Sequence, residues 1–524
     1  MRHIHFIGIC GVAMSGLALA FKKAGWRVTG SDVGIYPPIS DYLKKNKVDY
    51  YTGWHPDLMC KNGKPDLVVV GNVASSNNPE WLYTQEQKLE YKSYPELIAE
   101  YIVRKNSIVC AGTYGKTSTA ALLSWILYKA GMELSYMFGG LAIDGDFPSA
   151  FCHCEERGTS DEAIQNNIDR LLRRLLTPRN DSGDWSVLEG DEYKSSRWDD
   201  RPKFAHYSPT HLLLTAVEWD HADVYPTEEA YFRVFDELVK SVPETGLVVA
   251  NESVSCNMKH GTWNKPTIKT YGKSEKSDYK YSDVKTTKDG VEFDISYNSS
   301  VLHLKSYVFG DYMAENICGA FAMACEIGIE PETIIKAIGE FKGLKRRLEK
   351  RFEGEITIFD DIAHSPAKAE STLNTLASVI ANHSEAIRLL NDTGLRSLSR
   401  VETRDRAAPP HNDRRIIAIF EPNTGNRQPE AIPSYDNKFN AADLVIIPEL
   451  TSIKHDPKKS PPLEGEDLMK IISQTHPNVK YISDDEKLVD LINKEAKVGD
   501  VVVFLGSHGF RGMIEVLVSK FISK

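Results

Sequence analysis

Apolar positions in the first hundred residues follow two rhythms. Three short runs, the mostly apolar "HIHFIGI" (3–9) and "DLVVVGN" (66–72) and the more polar "WRVTGSD" (26–32), have the length of strands. Between the first two lies "AMSGLALAFKKAG" (13–25), a small-residue helical pattern that ends in a glycine. Strands alternating with helices predict a parallel sheet with helices on its faces. The same rhythm restarts at Asn106 with "SIVCAG" and "ALLSWILYKAG", and a helix rich in small residues, "AENICGAFAMACEIG", comes near the end of that section. It restarts again after Leu344, with "RRIIAIFEP", "ADLVIIPEL" and "GDVVVFLGSHG". Two stretches break it. Residues 151–181 and 382–413 are polar and Arg-rich, end in "PRND" and "PHND", and read as surface insertions.

The pattern therefore predicts an α/β protein of three consecutive domains, each on a mostly parallel sheet. Residues 1–105 are Rossmann-like, 106–344 form a central domain of the phosphate-loop type, and 345–524 are again Rossmann-like. The net charge of −10 argues against a nucleic-acid binder. No apolar run reaches the roughly 18 residues of a membrane span. The N-terminus enters a strand without a signal-peptide pattern. Eight cysteines in 524 residues build no disulfide framework, and Cys152-x-Cys154 has no second half for a metal site. The expectation is a cytoplasmic enzyme that binds neither nucleic acid nor membrane; nothing in the sequence sets its oligomeric state.

Chemistry enters with "AGTYGKTSTA" (111–120), a strand, a glycine loop, Lys-Thr and a helix. Backbone N–H groups from Gly112 through Thr113 and Gly115 to Lys116 are expected to surround phosphates. Lys116 offsets charge on the β and γ groups, and Thr117, followed by Ser118, offers a hydroxyl to Mg²⁺. The usual first glycine is replaced by Cys110. Acidic clusters follow at two more strand ends. They are "VLEGDEYKSSRWDDRPKF", with Glu189, and "LLLTAVEWDHADVY", with Glu218, Asp220, His221 and Asp223. Behind a phosphate loop these residue types suit a metal–ATP site. Near the N-terminus the turn Gly8-x-x-Gly11 opens a helix, and Ser31 and Asp32 close the second strand, the position of a ribose-binding acid.

The ordered set "GTYGKTST", "LEGDEY", "EWDHADVY", Gly310…Asn316, "KRRLE" and "DDIAHSP" resembles the Mur ligases, ATP-dependent amide-forming enzymes of peptidoglycan metabolism. The resemblance spans the chain apart from the two insertions. It implies that the three domains bind a UDP-sugar, ATP and an amine in turn, and that the altered loop entrance is the family's own form. It implies that Lys116, Glu189 and His221 are catalytic, with Thr117, Glu189 and His221 holding Mg²⁺. Asn316, Arg347 and Asp361 would join ATP, the last two from the third domain, whose closure completes the site and excludes water. Two branches of the family fit. Both act on the lactyl carboxylate of UDP-N-acetylmuramate; one adds L-Ala-γ-D-Glu-meso-diaminopimelate, a recycled tripeptide, and the other adds L-alanine. "VVVGNVASSNNP", "EGDEY" with "WDDRPKFAHY", and "GSHGFRGM" favour the tripeptide.

Its carboxylates need positive partners, for which Arg427 and Arg511, in loops after strands, are the candidates. A nucleotide-binding regulator without ligase activity is the alternative of a different class. Folylpolyglutamate synthetase shares the ATP machinery, but the hundred residues before the loop count against it. The sequence departs from the family where His-Asn is replaced by Tyr312-Met313, which puts the adenine contacts in question, and where Ser365 stands after His364 in place of a second His.

Overall fold

The computed structural model describes residues 1–152, 184–219, 224–257, 266–392, 414–452 and 461–523. Most of both insertions, and Asp220, His221 and Asp223, lie outside the described residues. Residues 382–392 continue the helix Pro366–Asp392.

Three sheets form. The first contains β1 (His3–Ile7), β2 (Arg27–Asp32), β3 (Asp49–Thr52), β4 (Leu67–Val70) and β5 (Tyr91–Ser93) in the order β3-β2-β1-β4-β5. All its pairings are parallel. The second contains β6 (Asn106–Ala111), β7 (Leu134–Met137), β8 (Ala150–Phe151), β9 (Trp185–Gly190), β10 (His211–Leu214), β11 (Leu247–Asn251), β12 (Thr267–Gly272), β13 (Tyr279–Thr287), β14 (Gly290–Tyr297) and β15 (Ser300–Ser306). Their order is β15-β14-β13-β12-β11-β10-β6-β9-β7-β8, which places β6 between β9 and β10. The third contains β16 (Glu349–Glu353), β17 (Thr357–Asp361), β18 (Ile416–Glu421), β19 (Leu444–Pro448), β20 (Val479–Ile482) and β21 (Val501–Gly506), in the order β16-β17-β21-β18-β19-β20. Only β16 runs antiparallel there. The α/β reading from the apolar rhythm is what the fold contains.

The first two sheets share one compact unit, residues 1–284, 293–306 and 312–342. Its apolar core is continuous, from Ile4, Phe6 and Phe21 through Leu97 and Ile98 to Val109, Leu188 and Phe235. The helix Val12–Lys23 packs on β8, where Gly16 lies so close that a Cβ would meet Ser149 Oγ at 2.4 Å. Trp198 stacks on Trp81 at 5.1 Å, and Arg197 Nε donates to the Ala74 carbonyl at 2.5 Å.

The second unit, residues 285–292, 307–311 and 343–524, holds the third sheet. Side chains alternate across its strands. Ile416, Ala418 and Phe420 join Val501, Val503 and Leu505 on one face, and Ile417 and Ile419 join Val502 and Phe504 on the other. Both faces are therefore covered, as parallel sheets require.

Candidate active site

Strand β6 is almost wholly buried and delivers the chain into the loop 112–115 at its C-terminal end. Gly112 has φ +138°, and a Cβ there would lie 2.2 Å from Thr215 Oγ1. Gly115 has φ +82° at the N-cap of the helix Lys116–Lys129, and a Cβ there would lie 2.2 Å from Asn316 Oδ1. Only glycine meets both demands. The end of β10 holds the loop from one side. Thr215 Oγ1 donates to the Ala111 and Tyr114 carbonyls at 3.1 and 2.5 Å. The Thr113 N–H donates to the Ala216 carbonyl at 2.7 Å, so it is not among the groups offered to phosphates, contrary to the sequence expectation. The Thr113 hydroxyl is also engaged, donating to the Glu218 carbonyl at 2.7 Å and accepting from the Glu218 N–H at 2.9 Å. Thr113 shapes the loop instead. The first N–H groups of the helix, from Gly115 onward, point out of its end, and Ser118 is half-buried in its first turn.

Lys116 Nζ donates to three acceptors, the Gly112 carbonyl at 2.7 Å, the Thr113 carbonyl at 3.1 Å and Glu192 Oε1 at 3.1 Å, and lies 3.0 Å from Glu192 Oε2 in the same ion pair. Thr117 Oγ1 donates to Glu189 Oε1 at 2.7 Å, and Glu189 Oε2 accepts from the Gly139 N–H at 2.5 Å. The expected pair of Thr117 and Glu189 is thus brought together. Its oxygens are the hard donors that suit Mg²⁺, which takes one or two protein oxygens plus substrate phosphates. No cluster of three His, Cys, Asp or Glu side chains able to hold a metal forms among the described residues.

Glu192 is the residue that sequence reasoning missed. It follows Glu189 by three positions in the same acidic run, but no spacing rule points from it to Lys116. Its side chain is buried, so its charge requires the ammonium beside it. Next to it, Asp191 is pushed up by burial, but the nearby Lys203 ammonium outweighs that and holds the carboxyl below its ordinary range.

Asn316 backs the loop from the helix Asp311–Glu326. Its Oδ1 lies against Gly115, and its Nδ2 donates to Met313 Sδ at 3.6 Å. It is buried there, so its role in the structure is to support the turn. Tyr312 stands more exposed beside it.

In the first sheet, Gly8 and Gly11 form the turn between β1 and its helix, and the N–H groups of Gly8 and Ile9 donate to the Ser31 carbonyl at 2.8 and 3.1 Å. Asp32 does not project as a ribose acceptor. Its Oδ2 accepts from the Cys10 N–H at 2.8 Å and its Oδ1 from the Gly34 N–H at 3.0 Å, so it braces the turn. Ser31 is fully buried and donates to Glu80, which Tyr51 OH also reaches at 2.6 Å.

The second unit holds the other expected residues. Arg427 is buried. Its three nitrogens donate to the Leu463 carbonyl at 3.0 Å, the Thr451 carbonyl at 2.7 Å and Glu464 at 2.9 Å, so it ties loops together. Asp361 accepts from the Leu348 and Ala363 N–H groups at 2.7 and 2.8 Å. It fixes the turn in which Arg346 and Leu348 have φ of 58° and 50°. Burial raises its carboxyl pKa despite Arg347 and those N–H donors. Arg511 holds Asp485 through Nε and Nη2 at 2.7 Å each, and its Nη1 lies outside that pair. Arg347 is exposed.

The chain matches a family model for the Mur ligase middle domain over residues 110–324 and one for the Mur ligase family catalytic domain over residues 3–106. A UDP-N-acetylmuramate–L-alanyl-γ-D-glutamyl-meso-2,6-diaminoheptandioate ligase from Haemophilus influenzae is 31% identical over 382 residues, 72% of this chain and 76% of that one. This chain belongs to the Mur ligase family. Among other Mur ligases, a UDP-N-acetylmuramate–L-alanine ligase from Dictyoglomus turgidum is 26% identical over 530 residues, 99% of this chain and 97% of its own. The crystal structure of a murein peptide ligase from Psychrobacter arcticus superimposes with a TM-score of 0.65 at 27% identity, covering 99% of this Mur ligase and 98% of that chain. No helix among the described residues is long and apolar enough to cross a membrane.

Proposed function

We propose that this Mur ligase joins the lactyl carboxylate of UDP-N-acetylmuramate to the amino terminus of L-Ala-γ-D-Glu-meso-diaminopimelate at the expense of ATP. The observation that carries the reading is the loop on β6, in which Lys116 and the Thr117–Glu189 pair stand side by side. It lies in a chain 31% identical to a relative named for that reaction.

A carboxylate does not condense with an amine in water until its oxygen is made a better leaving group. In the proposed course the lactyl carboxylate takes the γ-phosphoryl group of ATP, and the peptide amine displaces phosphate from the acyl phosphate. The helix N-terminus at Gly115–Thr117 and the Lys116 ammonium stabilise the charge that builds on the transferred group. Lys116 reaches it by sharing its donors between the phosphate and Glu192. Thr117 and Glu189 would hold Mg²⁺, which when bound neutralises phosphate charge and orients the γ group. His221 remains a candidate second ligand. Gly8 and Gly11 open the first helix toward the UDP-sugar.

The test is phosphate release from ATP by the purified chain with UDP-N-acetylmuramate and a panel of amines. Release with the tripeptide and not with L-alanine is expected. Efficient use of L-alanine with no response to tripeptide moves the activity to the alanine ligase, and no release with any amine overturns the ligase reading.

A further inference from the structure

In open parallel sheets ligands enter at the C-terminal strand ends. In the third sheet, adjacent strands β18 and β21 end side by side at the pair Glu421↔Gly506. Glu421 is only 1% exposed. Its Oε1 accepts from the Thr451 N–H at 2.8 Å, whereas its Oε2 has no hydrogen bond among the described residues. Two exposed basic side chains stand over it, His508 Nδ1 at 3.7 Å from Oε1 and Arg511 Nη1 at 3.7 Å from Oε2. Both distances are too long for hydrogen bonds.

Arg511 is kept from closing the gap. Its other two nitrogens are fixed on Asp485. Phe510, fully buried, anchors the loop, and Phe510 and Arg511 both have φ of 50°. Consecutive left-handed side-chain-bearing residues are strained, and such strain gathers at ligand sites. The cluster also holds two carboxylates, Glu421 and Asp485, against one guanidinium. Its unmet demand is for a compact cation with N–H donors.

We propose that Glu421 receives a primary ammonium at the far end of the amine substrate, and that the free Nη1 edge of Arg511 takes a carboxylate on the same carbon. The inference rests on the peptide-ligase reading and names what makes the peptide recognisable. The diaminoheptandioate in the Haemophilus relative's name ends in such a pair once its other amine is in the peptide bond. L-alanine has no second amine.

The experiment compares L-Ala-γ-D-Glu-meso-diaminopimelate with the same peptide ending in 2-aminopimelate, which lacks the distal ammonium. The wild type is expected to favour the first by roughly tenfold or more in kcat/KM, the scale of one charged hydrogen bond. Glu421→Gln is expected to abolish that preference through KM, with kcat and the KM for ATP unchanged. Asp485→Asn, which frees Arg511 to drop onto Glu421, is expected to act in the same direction and keeps the test alive if the first variant folds poorly. Retention of the wild-type preference in both variants overturns the inference. Calorimetry of the full chain with free meso-diaminopimelate and with 2-aminopimelate reads the subsite without turnover, and equal affinity for the two overturns it as well. Failure to ligate any amine strikes the proposed function instead, and the calorimetry still decides the subsite.

Discussion

At the residue scale, Lys116 carries the sharpest expectation. Lys116→Ala should lower turnover by about 10²–10³, the scale of one lost transition-state contact, and leave UDP-N-acetylmuramate binding intact. Steady-state kinetics with calorimetry of the UDP-sugar checks both halves. His3 supplies a pH dependence. Burial, aided by the charges of Arg27 and His5, holds its imidazole down at about 4. An unfolded histidine titrates near 6.5, so between these pH values the unfolded chain binds a proton that the folded chain refuses. Stability is therefore full above about pH 6.5 and is lost as pH falls toward 4. His3→Gln should flatten that part of a urea-midpoint profile. The letters of the phosphate loop were legible because each one serves the backbone or the phosphate directly. Asp32, Asp361 and Arg427 were not. A charge after a strand reads the same whether it faces a crevice or ties a loop, and the partners that decide, such as Leu463 and Thr451 for Arg427, are far along the chain.

At the scale of elements, strand, loop and helix were readable from periodicity, but their order in each sheet was not. The position of β6 between β9 and β10 brings Glu189 and Thr215 to the loop from opposite sides, and no local pattern contains that neighbourhood. The turn itself gives a test. Gly115→Ala must adopt φ +82° and push Asn316 aside. The left-handed backbone alone costs about 1–2 kcal/mol. ATP affinity should fall roughly tenfold or more while far-UV circular dichroism stays unchanged, as calorimetry with a non-hydrolysable analogue would show.

At the scale of the whole molecule, two compact units with separate cores predict two calorimetric transitions. Phe504 is fully buried in the core of the second unit. Phe504→Ala should cost about 3–5 kcal/mol and move one transition only; movement of both would mean that the units unfold together.

The first two sheets, by contrast, share one core, with the helix Val12–Lys23 against β8 and Trp198 against Trp81. That has a consequence for descent and for recombination. A segment that docks through a polar surface can be exchanged between relatives, but one whose apolar interior interlocks with its neighbour cannot be replaced without repacking both. A chimera that takes residues 1–105 from a distant relative would inherit half of a jigsaw. Viable crossovers should fall near residue 343, so that the first two sheets pass down together while the third is free to be exchanged.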